Sequence, residues 1–247
     1  GEIYAFVGLL LFLGIMLYRS SRKHKQKVKD EAEIRSLRKE DIGTVTDMIT
    51  ESSAQISKVF RKTSALYSNL IDNLSLQDLA KLKENKKDQK KLEKEIDELK
   101  SNAFYFIKNL DDNSVEASKF YILILGYLQD MVQSIDFITA NSYSHVANNH
   151  KQLKFNQIRD LKTIDKQLQH LLQLLEDSFK SEDFYRIDLI LNDKEILLET
   201  VSELISKQIK RIRTTETSPK NSKLYFALLL ETNDLVKSIM NLLELFK

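Results

Sequence analysis

The residues best suited to chemistry are carboxylates four positions apart. Glu93 with Asp97, and Glu199 with Glu203, have this spacing. On a helix it puts both acids of a pair on one face. Carboxylate oxygens suit hard cations, but a hard cation wants several such ligands converging. Histidine offers less, because His24, His145, His150 and His170 form neither an i,i+4 pair nor an HExxH box. His145 and His150 straddle a predicted helix end in SYSHVANNHK, where capping or loop roles outweigh ligation. Phosphate-cradling GxGxxG or GxxxxGK[ST] loops and local nucleophile signatures are absent from the sequence. With 0 Cys, disulfides and thiolate chemistry are excluded. The chain is read as a non-enzyme.

Cations form two groups. Lys207, Lys210, Arg211 and Arg213 close the predicted fifth helix. They supply either favourable charge at a helix C-terminus or a patch for an anion, a lipid headgroup or a partner. Arg19, Arg22, Lys23, Lys25, Lys27 and Lys29 lie together in RSSRKHKQKVK, residues 19–29, with no acid among them. Without these six the chain keeps 32 basic residues against 36 acidic. That balance argues against nucleic acid as a partner.

The six cations follow Ile3–Tyr18, sixteen residues without a charge. As a helix this run is roughly 24 Å long, short of a ~30 Å hydrocarbon core, so it predicts the end of a longer span. Cations after the apolar run, not before it, fit a positive-inside flank rather than a secretory signal. The expectation is a membrane-embedded helix at 1–18, a basic juxtamembrane connector at 19–40, and everything after residue 19 in the cytoplasm. Attraction to anionic lipid is the expected role of the 19–29 run.

The remainder must be helical. Only 5 Gly and 1 Pro leave little material for the tight turns of sheets. Apolar spacing predicts helices over 41–72, 76–109, 114–147, 156–180, 183–213 and 218–246. Ser75 with Asp78 is a predicted cap for the second, and Asn113 with Glu116 for the third. Ser218–Pro219 predicts an N-cap followed by Pro at the first helical position. KENKKDQKK in the second helix, with nothing apolar, predicts a solvated helix or a local break.

An internal repeat organises these elements. A shift of 104 residues lays SVEASKFYILILGYLQDMVQSI (114–135) on SPKNSKLYFALLLETNDLVKSI (218–239). Identical pairs include Lys119/Lys223, Leu125/Leu229, Asp130/Asp234, Val132/Val236, Ser134/Ser238 and Ile135/Ile239. One residue more aligns Glu98, Leu99 and Ser101 with Glu203, Leu204 and Ser206. The expected architecture is all-α, with two antiparallel three-helix bundles after the membrane helix, at 41–147 and 148–247. The most apolar segments, YILIL and LYFALLL, place the third helix of each unit centrally.

The stretches FYFIKNLDDNSVEASKFYILILGYLQDMVQSIDFI (104–138), NNHKQLKFNQIRDLK (148–162) and SELISKQIKRIRTTETSPKNSKLYFALLLETNDLVKSIMNLLEL (202–245) resemble the PhoU-like domain at the C-terminus of PiT-type inorganic phosphate transporters. The resemblance implies a tandem-repeat cytosolic region that controls phosphate uptake by conformational coupling to a membrane domain in the same chain, in the cell (inner) membrane. Phosphate is the transported substrate of such a protein, and homo-oligomerisation is open. The resemblance also implies divalent or ferric ions held by Asp130 and Asp234, with Glu231, Glu93, Asp97, Glu199 and Glu203 as further ligands. Where the family pair wants Asp four positions on, Ser134 and Ser238 stand here. The alternative for Asp130 and Asp234 is a pair of buried acids hydrogen-bonded between helices. The alternative function is a membrane-tethered helical scaffold without a transport role.

Overall fold

The computed structural model describes residues 54, 56–108, 115–181, 183, 185–215 and 217–244. The predicted membrane helix at 1–18, the cations Arg19, Arg22, Lys23, Lys25, Lys27 and Lys29, and the Asn113 cap lie outside the described residues. Among the described residues no helix is long and apolar enough to cross a membrane, and every regular element is α-helical. The elements are α1 (56–75), α2 (Leu79–Lys108), α3 (Val115–Ala147), α4 (Phe155–Ser181), α5 (Ile187–Thr214) and α6 (Pro219–Glu244).

The caps explain the boundaries. Asp78, not Ser75, caps α2: its carboxylate accepts the Lys81 amide at 3.1 Å, while Ser75 donates back to the Asp72 carbonyl at 2.7 Å. Ser218 accepts the Asn221 amide at 3.3 Å ahead of Pro219, as predicted. α5 starts later than predicted. Asp183 accepts the Tyr185 amide at 3.1 Å, a local turn that delays the helix to Ile187. Gln77 (φ 51) and Asn149 (φ 55) adopt left-handed backbone just after α1 and α3. The Asp78 and His150 amides then reach back to the Asn73 and His145 carbonyls at 3.0 and 3.1 Å, closing both helix ends.

α3 and α6 pack extensively on each other; α2 packs on α3, and α5 on both α4 and α6. α1 runs antiparallel along α4. Ser57 donates to the Glu176 carbonyl at 3.0 Å, Gln169 to the Ser64 carbonyl at 2.9 Å, and Ser68 to Asp165 at 3.0 Å. α1 also reaches α6, where the Tyr67 hydroxyl and Thr232 share a hydrogen bond of 2.7 Å. One continuous core contains residues of all six helices, including Phe60, Leu92, Met131, Leu168, Leu197 and Leu235. Burial of such side chains contributes roughly 1.5–3 kcal/mol each.

KENKKDQKK forms unbroken helix. Two of its amides face inward: Asn85 is 4 % exposed and Gln89 1 %. Asn73 donates to Asn85 at 2.8 Å, and Gln89 to Glu93 at 3.3 Å. Burial of these amides is tolerated because they are hydrogen-bonded.

Candidate functional site

The repeat-related positions of α3 and α6 share their exposure. Leu125/Leu229, Val132/Val236, Ser134/Ser238 and Ile135/Ile239 are buried, while Asp130/Asp234 are exposed. The apolar members recur at helical spacing and belong to the continuous core, Val132 on the side that faces α2. At the edge of this seam lies an open groove of about 330 Å³. Asp130, Gln133, Ser134 and Phe137 of α3 line one side, and Glu231, Asp234, Lys237 and Ser238 of α6 the other.

Glu231 is the half-buried acid of the groove. Burial raises its carboxyl above the ordinary range, the Asp234 charge raises it further, and a Ser134 hydrogen bond opposes both. Ser238, the repeat partner of Ser134, instead donates back to the Asp234 carbonyl at 3.0 Å. Tyr127 occupies the repeat position of Glu231. The groove thus has matched walls with an acid added on one side.

A smaller cleft of about 180 Å³ separates α2 from α3, lined by Gln89, Glu93, Asp97, Gln129 and Asp136, among others. Gln133 lines both clefts. Glu93 accepts from Lys90 at 3.1 Å and from Gln89, and the Lys90 bond is the main reason its carboxyl is held below the ordinary range.

The structure therefore divides the predicted acids. Asp130, Glu231 and Asp234 share one groove, Glu93 and Asp97 line the next, and Glu199 and Glu203 are exposed on α5 and line neither. Among the described residues no three His, Asp or Glu side chains converge closely enough to hold a metal ion. The reading of Asp130 and Asp234 as buried acids is corrected: both side chains lie on the solvent side of the seam. What the groove offers is several carboxylates on an open wall, suited to a hydrated cation or an ammonium group.

The basic run at the end of α5 is divided too. Arg211 turns inward, donating to Asp160 at 2.9 Å and to Gln208 at 3.1 Å. Asp160 also accepts from the Tyr225 hydroxyl at 3.2 Å, and Lys207 approaches it at 4.0 Å. Burial and the Asp160 charge raise the Tyr225 hydroxyl. Gln208 continues the network to Ser222 at 3.1 Å. Arg211 thus compensates a carboxylate that is 7 % exposed, leaving Lys207, Lys210 and Arg213 exposed.

Sequence reasoning missed this network and the buried Asp165, which accepts from Ser68 and Gln169 at 3.0 Å each. The available signal was Gln157, Asp160 and Asp165 standing at apolar spacing in α4. At the α3–α4 corner, His145 bonds the Lys151 carbonyl at 2.8 Å and stacks edge-on against His150, ring centres 4.9 Å apart. That is the loop role its position suggested. No family model, curated protein or solved structure matches the chain.

Proposed function

We propose that the chain is the cytosolic regulatory region of an inorganic phosphate transporter. In this reading residues 41–147 and 148–247 form two PhoU-like three-helix units. They hang from a membrane span at 1–18 through the basic connector 19–40, with residues 19–247 in the cytoplasm of a cell whose inner membrane holds the transporter. The region controls uptake of phosphate by conformational coupling to the membrane domain.

The observation that carries this reading is that α3 packs on α6 and that the matched positions Asp130/Asp234 and Ser134/Ser238 line the groove beside the seam, with Glu231 added. Coupling requires two states with different contacts for the signal. Glu231 is the group that would take up the signal: burial and Asp234 disfavour its charge, so a cation or proton is favoured beside it. The phosphate context comes from the sequence resemblance alone.

The deciding experiment measures phosphate uptake in phosphate-replete and phosphate-starved cells, with and without residues 41–247. Uptake that no longer responds to phosphate status supports the reading; an unchanged response sinks it. The double variant Glu231→Gln, Asp234→Asn tests the groove itself, with a weakened response expected.

A further inference from the structure

Six of the exposed lysines of α2, Lys83, Lys86, Lys87, Lys90, Lys91 and Lys94, form a surface strip beside Tyr143 of α3. Lys83, Lys87, Lys90 and Lys94 recur at steps of four and three, so they form one row roughly 17 Å long. The row lies opposite the helix's buried line of Leu82, Asn85, Gln89, Leu92 and Ile96. Lys90 meets Glu93 at 3.1 Å and Asp136 at 3.7 Å, and Lys91 lies 3.9 Å from Asp88. Lys83, Lys87 and Lys94 have no ion pair among the described residues. The Lys86 ammonium sits 4.2 Å from the centre of the Tyr143 ring.

This strip is not what any exposed helix would show. With the 105-residue register that aligns Leu99 with Leu204, the four lysines of the row fall on Asp188, Asn192, Glu195 and Glu199 of α5. The equivalent row of α5 thus carries three carboxylates and one amide. Like-charged neighbours four apart destabilise a helix, so Lys83 with Lys87 and Lys90 with Lys94 lower the stability of α2.

We propose that this face of α2 docks on an anionic lipid surface, with Tyr143 at the headgroup level. A straight cationic row matches a plane of negative charge, and an aromatic ring with a polar tip suits the interface. The apolar 3–18 and basic 19–29 segments make a membrane the polyanion expected within reach. An acidic body, 36 carboxylates against 32 cations outside 19–29, disfavours wrapping by nucleic acid.

The chain has 0 Cys, so a single introduced thiol carries an environment-sensitive fluorophore cleanly. The probe is placed at Lys91→Cys on α2 or at its register partner Ile196→Cys on α5, in the full chain. Vesicles contain phosphatidylcholine alone or with phosphatidylserine. The expected result is a blue shift at position 91 on anionic vesicles only, none at 196, and loss of the shift at high salt. K83E/K87E/K94E raises the lipid concentration for half-response by on the order of 100-fold, with helicity unchanged. Free phosphoserine or inorganic phosphate added to neutral vesicles produces no shift. The proposal is overturned by an equal shift on neutral vesicles, by an equal shift with the free anions, by an equal response at 196, or by a shift that survives both the triple reversal and high salt. Flotation of the chain with neutral vesicles reads the 3–18 segment separately, so failure of the tether and failure of this surface are distinguishable.

Discussion

Helices α2 and α5 are register partners that bury alike and face solvent differently. Leu92, Ile96 and Leu99 align with Leu197, Val201 and Leu204, and five of these six are fully buried, Leu99 partly so. Outward, α2 presents lysines where α5 presents Asp188, Asn192, Glu195 and Glu199. Their polar anchors also differ. α2 is seated by neutral amides, Asn85 and Gln89; α5 is seated by Gln208 and by the Arg211–Asp160 ion pair. Core positions are held by packing, which tolerates few volumes. Exposed positions cost little to change, so the outer faces are where the two helices are free to acquire separate roles.

The comparison can be broken most forcefully at the anchors. Arg211→Met leaves Asp160 buried without its closest cation and should cost about 3–5 kcal/mol in urea unfolding. Lys210→Ala, one position away and exposed, should stay within about 0.5 kcal/mol. An equal effect of the two would mean that α5 is not seated by the ion pair. Next come the matched core positions: Leu92→Ala and Leu197→Ala should each cost about 3 kcal/mol. A large inequality between them would end the claim that α2 and α5 bury alike.

A smaller effect tests α4, which seats α5 and receives α1. Burial raises the Asp165 carboxyl above the ordinary range; bonds from Gln169 and Ser68 oppose this, and the Asp72 charge adds to the rise. A carboxyl raised on folding favours the protonated native state. Its contribution is therefore greatest below the unfolded pKa and is lost as pH rises through the folded value. Asp165→Asn should raise stability at neutral pH and flatten its decline above about pH 4, read from melting temperatures across pH. The smallest expected change is at the α1–α2 corner. Gln77 holds φ 51 without being glycine, so Gln77→Gly should stabilise by about 0.5–1 kcal/mol in the same unfolding assay. A loss would show that the 3.4 Å bond from Gln77 to the His150 carbonyl outweighs the backbone strain.

Much of the fold was legible because helix formation here is local. Apolar spacing located α3, α4 and α6 to within about two residues, and Ser218–Pro219 marked the start of α6 correctly. The start of α5 was misplaced because Asp183 spends its side chain on a turn, a choice between two local hydrogen bonds that composition does not reveal. The site was legible only in part. Asp130, Glu231 and Asp234 were singled out and do share a groove. Glu199 and Glu203 satisfy the same spacing rule but point to solvent on another helix, since spacing fixes the face of a helix and not what that face meets.

By itself, then, the sequence determined that the described residues are helical and roughly where most of their helices run, and it laid α3 on α6 at a shift of 104 residues. These follow from short-range periodicity, turn chemistry and self-similarity. Only the tertiary structure decided that Arg211 faces Asp160 while Lys210 faces water, that Asn85 and Gln89 are interior, and that the lysines of α2 stand clear as one surface. Those outcomes depend on which neighbour lies against each face, and contacts between residues far apart in the chain leave no local pattern to read.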